Sequence, residues 1–174
     1  VSGWVADRFG ARATFVSAIA VFLLGSVGCA LSGSLGELVA GRFVQGAGGA
    51  MMVPVGRIIM LREIPKSQLV DALAWLTIPA LLGPLVGPPI GGFITTYYDW
   101  RWIFWMNIPI GLLGIGLATW LMHDTRIEAA PPLDVRGFLL SGLGLSALVF
   151  GFTVLGRDLL PGHTPSALIM LGAV

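Results

Sequence analysis

Arg42 is a charged side chain set well inside a long apolar stretch, Leu38 to Met60. Gln45, Gly46 and Gly49 follow it at +3, +4 and +7, the spacing that shares one helical face. A charge at the centre of a membrane helix costs about 2.5 kcal/mol or more, so such a residue is a candidate for moving ions, protons or substrate. The counter-reading is mechanical. Arg42 lies roughly 7 Å in from the nearer end of the stretch, close enough for its long stem to snorkel to the headgroups. No apolar stretch of the chain holds an acid that could pair with it.

A second group is Gly3-Trp-Val-Ala-Asp7-Arg8-Phe-Gly10-Ala-Arg12. Gly3 and Gly10 permit a tight turn between two spans. Asp7 interrupts a basic segment; it can sit at a helix N-terminus or pair with Arg8 or Arg12. The plainer alternative is a solvated basic anchor. A third group is Gly83-Pro84-Leu-Val-Gly87-Pro88-Pro89-Ile-Gly91-Gly92. Gly83, Gly87 and Gly91 recur every four residues and line one narrow face, which lets another helix approach backbone to backbone. Pro84, Pro88 and Pro89 free the carbonyls of Ala80, Pro84 and Leu85. Freed carbonyls need partners in lipid, so the spacing predicts a face buried against protein or water, with local weakness suited to bending or sliding. A helix that merely tolerates Gly and Pro fits the same letters. Met51-Met52 offers an adaptable apolar surface for varied ligands, or simple packing.

Enzyme chemistry has little to stand on. His123 and His163 lack metal-ligand companions at helical spacing. Gly144-Leu-Ser146 is not followed by the glycine of a nucleophile elbow. Gly46-Ala-Gly48-Gly49 lacks the third glycine and the preceding strand of a dinucleotide fingerprint. Cys29 is the single cysteine and reads as packing. The expectation is therefore no enzyme, no metal and no cofactor.

These residues need elements to hold them. The 174 residues are 56% hydrophobic and 11% charged, against about 25% charged in a soluble domain. The apolar excess falls in blocks long enough to cross a bilayer. Five complete spans are expected, at Ala13–Leu31, Leu38–Met60, Ala72–Tyr98, Trp102–Met122 and Gly137–Gly156, with a sixth cut off from Pro165 to Val174. The fold class is all-α membrane protein. A net charge of +1 without a basic tract gives no footprint for nucleic acid. The chain starts without Met and reads as an internal piece of a longer protein.

Loop charge gives the orientation. Arg8, Arg12, Arg57, Arg62, Lys66, Arg126 and Arg136 fall on one side, against Arg101 and Arg157 on the other. The richer side faces the cytoplasm, making this a multi-pass protein of the cytoplasmic membrane. Tyr97, Tyr98, Trp100, Trp102 and Trp105 gather at an outer end as an interfacial belt. Between the fourth and fifth spans, Ala129-Ala130-Pro131-Pro132 makes a short, stiff connector.

Three of these stretches, in order, resemble one family. Gly3-x-x-x-Asp7-Arg8-x-Gly10-x-Arg12 is similar to the loop signature of the major facilitator superfamily. Leu38-x-x-x-Arg42-x-x-Gln45-Gly46-x-Gly48-x-Ala50 resembles its fourth-helix motif. Gly83-Pro84-x-x-Gly87-Pro88-x-x-Gly91-Gly92 resembles its fifth-helix antiporter motif. Trp100-Arg-Trp-Ile-Phe-Trp-Met-Asn107-Ile-Pro109-Ile-Gly111 is similar to the start of the sixth helix in drug:proton antiporters. The loop signature departs at Ala11, where the family usually carries a basic residue. The resemblance implies a helical bundle of the major facilitator type. Residues 1–122 would be part of the amino-terminal half (parent helices three to six), 123–136 a cytoplasmic connector, and 137–174 two bridging helices, the second truncated. So short a connector resembles the fourteen-span EmrB/QacA-type antiporters.

The resemblance also implies roles. Asp7 and Arg8, with Gly3, Gly10 and Arg12 in the same loop, would help latch the outward-open state against another helix. Arg42 and Gln45 would face the cavity and influence proton coupling. The Gly/Pro helix would meet the other half and control leak and direction. The expected function is proton-coupled export of drugs or other amphipathic molecules by alternating access, driven by the proton gradient. A small-molecule substrate and the lipid bilayer are the expected partners; such a parent works alone or with a periplasmic adaptor and an outer-membrane channel. An importer or uniporter of a small metabolite, and a non-transporting receptor or scaffold, are the alternatives.

Overall fold

The structure, a computed structural model, describes residues 2–122 and 134–154, and every structural statement below concerns these residues. The chain divides into two units, one within Ser2–Ala130 and one within Pro131–Val174. The first holds six helices: α1 (Ser2–Phe9), α2 (Ala11–Leu31), α3 (Leu35–Glu63), α4 (Leu69–Tyr97), α5 (Trp102–Trp105) and α6 (Asn107–Leu121). A 3-10 turn, Lys66–Gln68, precedes α4. The second holds α7 (Val135–Val154). Five segments are long and apolar enough to cross a membrane: α2, α3, Lys66–Tyr97, Trp102–Leu121 and α7. They coincide with the five complete spans expected. The sixth, from Pro165, and the connector residues 123–133 lie outside the described residues.

Two local readings need correction. The amino-terminal segment is a helix through Phe9, not a loop. Gly3 sits inside that helix, and a Cβ there would meet only the tip of Ile58 at 3.8 Å. Gly10 alone makes the turn, with φ 96° and ψ 138°, a conformation nearly confined to glycine. The fourth span is also broken in two. Pro109 has no N–H for the Trp105 carbonyl, and the helix steps at Met106 between α5 and α6.

Helix ends follow capping chemistry. Ser34 accepts from the Glu37 N–H at 3.3 Å, while the Glu37 carboxylate reaches back to the Gly33 N–H at 2.7 Å, a variant of the capping box. In the second unit, Asp134 accepts from the Gly137 N–H at 2.9 Å and so caps α7.

The core of the first unit is the contact between α2 and α3. On α3 the positions facing α2 run 41, 45, 48, 52, 55 and 59, a four-three alternation that keeps one seam inward. Gln45, Gly48, Val55 and Ile59 on that seam are buried. Residues in contact sum to nearly a constant: Gly25 meets Gln45, Cys29 meets Gly41, and Phe22 meets Gly48. The helices are therefore antiparallel. The approach is backbone to backbone. A Cβ on Gly25 would stand 2.3 Å from the Gln45 nitrogen, and one on Gly48 2.4 Å from the Phe22 nitrogen. α6 takes another side of α2, where its glycines receive side chains: Gly111 lies against the Leu23 side chain and Gly114 against the tip of Ile19. α2 is thus the most enclosed span, and it carries more buried residues than any other helix described.

Much apolar surface remains outward, including Phe43, Leu81, Leu85, Leu113 and Trp120. In water this would be an aggregation hazard; surface of this kind suits contact with lipid or with further protein.

Candidate functional site

A chain of polar side chains crosses the apolar core where α2, α3 and α6 meet. Arg42 donates from Nη1 to Gln45 Oε1 at 2.6 Å. Gln45 donates from Nε2 to Ser26 Oγ at 2.6 Å. Asn107 donates from Nδ2 to the same oxygen at 3.3 Å. Ser26 is fully buried and Gln45 is 3% exposed. The Arg42 guanidinium stands over the Phe104 ring at 5.8 Å, within range of a cation–π attraction. No buried side-chain nitrogen or oxygen among the described residues lacks a partner.

Each element places its residue for a local reason. Gly41 and Gly48 bring α3 against α2, so Gln45 between them has no room except toward Ser26. The step at Met106 starts α6 at Asn107, one residue from the break, and aims its amide into the core. Arg42 lies about two helical turns from the start of α3, roughly 10 Å in. It is exposed on the side away from α2. It forms no ion pair among the described residues; the two ion pairs there are Arg62–Asp7 and Arg101–Asp99. A cation with no acid beside it can set the charge state of a carboxylate brought near it.

The pairing expected of Asp7 is corrected. Its carboxylate binds neither Arg8 nor Arg12 but Arg62, at the end of α3. The resemblance implied a latch against another helix, and the structure supplies the partner residue, Arg62 of α3. Arg8 stands 5.4 Å over the Trp4 ring, and Arg12 forms no ion pair among the described residues. The two partners keep 26% and 24% side-chain exposure, and pairs so placed contribute about 0–1 kcal/mol. Asp7→Asn should therefore lower the unfolding free energy by less than about 1 kcal/mol. A double-mutant cycle with Arg62→Gln, read by thermal unfolding in detergent, checks the value; a larger coupling would mean the pair is shielded from water.

At the other end, Arg101 donates to the Ser32 carbonyl at 2.9 Å and stacks 4.7 Å over Trp100. Tyr97, Tyr98 and Trp102 there are exposed. This is the arrangement expected of an interfacial belt.

The Gly/Pro helix is where expectation and structure part. α4 runs unbroken through Pro79, Pro84, Pro88 and Pro89, and no residue of it is buried. A Cβ at Gly83, Gly87, Gly91 or Gly92 would meet nothing within 4 Å. The close backbone approach expected on this face is found on the α2–α3 seam instead. α4 nevertheless shares a cleft of about 340 Å³ with α2 and α3, lined by Phe15, Met52, Val53, Arg57, Leu76 and Thr77 among others. Met52 thus lines a space as well as packing.

Ser26, Asn107 and Phe104 escape a reading of the sequence. Serine in an apolar helix looks like any small packing residue, and only the tertiary contact shows its oxygen in use. Asn107 carried a signal, a lone amide at the head of an uncharged span. Among the described residues no three His, Cys, Asp or Glu side chains gather to hold a metal.

The model of the family described as Major Facilitator Superfamily matches residues 1–174. A relative from Salmonella typhimurium named "Putative multidrug resistance protein MdtD" is 46% identical over 147 residues, covering 84% of this chain and 31% of its own. One of the same name from Yersinia pestis is 42% identical over 163 residues, covering 94% of this chain and 33% of its own. The chain thus spans about a third of the length of these relatives.

Proposed function

The chain belongs to the Major Facilitator Superfamily, and we propose that it supplies part of one helical half of a proton-coupled exporter of drugs or similar amphipathic molecules. The observation that carries this reading is Arg42, held at membrane depth by Gln45 and Phe104 with no acid beside it. The relatives named for multidrug resistance support the substrate class. In this reading the exporter works by alternating access, with substrate near the midplane between two halves. A carboxylate from elsewhere in the protein approaches Arg42 in one state only. The fixed positive charge favours its ionised form and so expels a proton there. Proton and substrate then drive the change of state through their different affinities for the two states. The ion pair of Asp7 with Arg62 supports a latch at the end of the bundle that carries the basic segments. The exposed glycine face of α4 supports an interface with the remainder of the protein.

The finer placement, a fourteen-span EmrB/QacA-type antiporter in the cytoplasmic membrane, rests on the short connector and the basic side of the spans. Covalent chemistry and cofactors have no part in it. A periplasmic adaptor and an outer-membrane channel are compatible additions.

The test is ethidium transport by the full-length protein in proteoliposomes. Ethidium should leave the compartment that corresponds to the cytoplasm only when a proton gradient is imposed, and adding ethidium should release protons. Uptake in the other direction would favour an importer, and no movement at all would favour a scaffold.

A further inference from the structure

The buried oxygen of Ser26 ties three helices together through hydrogen bonds, and nothing in the proposed function yet uses it. We propose that Ser26 is a positioning residue for Arg42, acting through the side-chain amide of Gln45. This rests on the reading of Arg42 as the coupling residue.

The argument starts from the amide. A glutamine side chain has an acceptor end and a donor end that differ little in shape. Here the two ends are told apart by their partners. Ser26 Oγ, with two lone pairs, accepts from Gln45 Nε2 and from Asn107 Nδ2. With its donor end held on α2, Gln45 must present Oε1 to Arg42, and it does so at 2.6 Å. Were Ser26 replaced by an apolar residue, the buried donors of Gln45 and Asn107 would be left unpaired. The Gln45 side chain would lose its anchor on α2 and leave the one conformation that sets Oε1 at 2.6 Å from the guanidinium. Arg42 would then lose a fixed acceptor, its only one among the described residues, and with it the position over Phe104.

Packing makes the arrangement stiff. The Gln45 backbone lies against Gly25, where a Cβ would stand 2.3 Å from its nitrogen. Gly41 and Gly48 hold the helix close one turn to either side. Gln45 therefore cannot back away from Ser26 without parting α2 from α3. Asn107 adds a third element. It heads α6 just after the step at Met106, so Asn107 of α6 and Gln45, the partner of Arg42, meet at one hydroxyl.

The experiment uses the full-length protein in proteoliposomes, with ethidium-driven proton release as the readout and ethidium binding and folded yield measured alongside. Ser26→Ala should reduce proton release at least tenfold and flatten its pH dependence, while ethidium binding stays within twofold. Ser26→Thr keeps the hydroxyl and should restore most of the release. Because Ser26→Ala strands buried donors and can lower the folded yield, Ser26→Ala with Gln45→Leu is the second arm. It removes donor and acceptor together. If Ser26 acts through Gln45, the double variant should lose no more than Gln45→Leu alone. Additive losses, or a Ser26→Ala protein with normal release, overturn the proposal. Normal release by Arg42→Ala, or none by the wild-type protein, overturns the coupling reading and this proposal with it. Loss in Arg42→Ala with normal release in Ser26→Ala overturns the positioning role alone.

Discussion

Gly48→Leu is expected to abolish the folded protein, whereas Gly87→Leu leaves folding intact. At Gly48 a new Cβ would stand 2.4 Å from the Phe22 nitrogen and 2.7 Å from the Ala18 carbonyl oxygen. Both are backbone atoms of α2, and a helix backbone cannot shift locally to make room. α2 and α3 would have to separate, breaking the Gln45–Ser26 hydrogen bond and opening the core around Val55 and Ile59. Overpacking of a well-filled core costs about 1–3 kcal/mol or more, and the lost contacts add to it. In lipid the penalty is not recovered, because close packing and interhelical hydrogen bonds are the main forces that join spans. At Gly87 nothing lies within 4 Å of the added atoms. Size-exclusion profiles and thermal unfolding in detergent check both variants. If Gly87→Leu folds normally but transports poorly, the α4 face meets a moving partner outside this chain. If Gly48→Leu folds normally, the seam described here is wrong.

Arg42→Ala should remove drug-driven proton exchange in the full-length protein, leaving less than about a tenth of the wild-type rate, with near-normal expression. The charge is exposed on one side and its local partners are weak. Removing it costs the fold about one hydrogen bond, of the order of 1 kcal/mol. The cost to coupling is far larger in this reading. A carboxylate beside a cation has its pKa lowered by about 1–3 units, and each unit is about 1.36 kcal/mol between its two protonation states. Without the charge the acid has the same proton affinity in both states and no longer answers to the gradient. Arg42→Lys should recover part of the rate, since a point charge remains but the planar contact with Gln45 and Phe104 does not. Proton release measured on ethidium addition checks both variants. A wild-type rate in Arg42→Ala removes this residue from the mechanism.

The spans were legible in the sequence because lipid imposes a one-dimensional rule: a run of apolar residues of a certain length must cross. The same rule located Arg42 as an anomaly, and its contact with Gln45 followed from helical spacing. The structure keeps both. It changes what depends on two elements at once. Asp7 was read against its sequence neighbours, and its partner proved to be Arg62 on another helix. Gly3 and Gly10 looked alike in sequence, yet only Gly10 takes a positive φ, because the helix before it continues through Phe9.

What the sequence determined by itself, then, is that this protein crosses a membrane several times, with a charge set where charge is costly. Which glycines bring helices together was decided only by tertiary structure. Gly83, Gly87 and Gly91 have the stronger pattern, but Gly25, Gly41 and Gly48 make the contact. The reason is that lipid tails and a protein interior are both apolar. Hydropathy can tell that a helix is in the membrane, but it cannot tell which of its faces meets a neighbour. That choice belongs to pairs of surfaces, and a pair is visible only once both helices are in place.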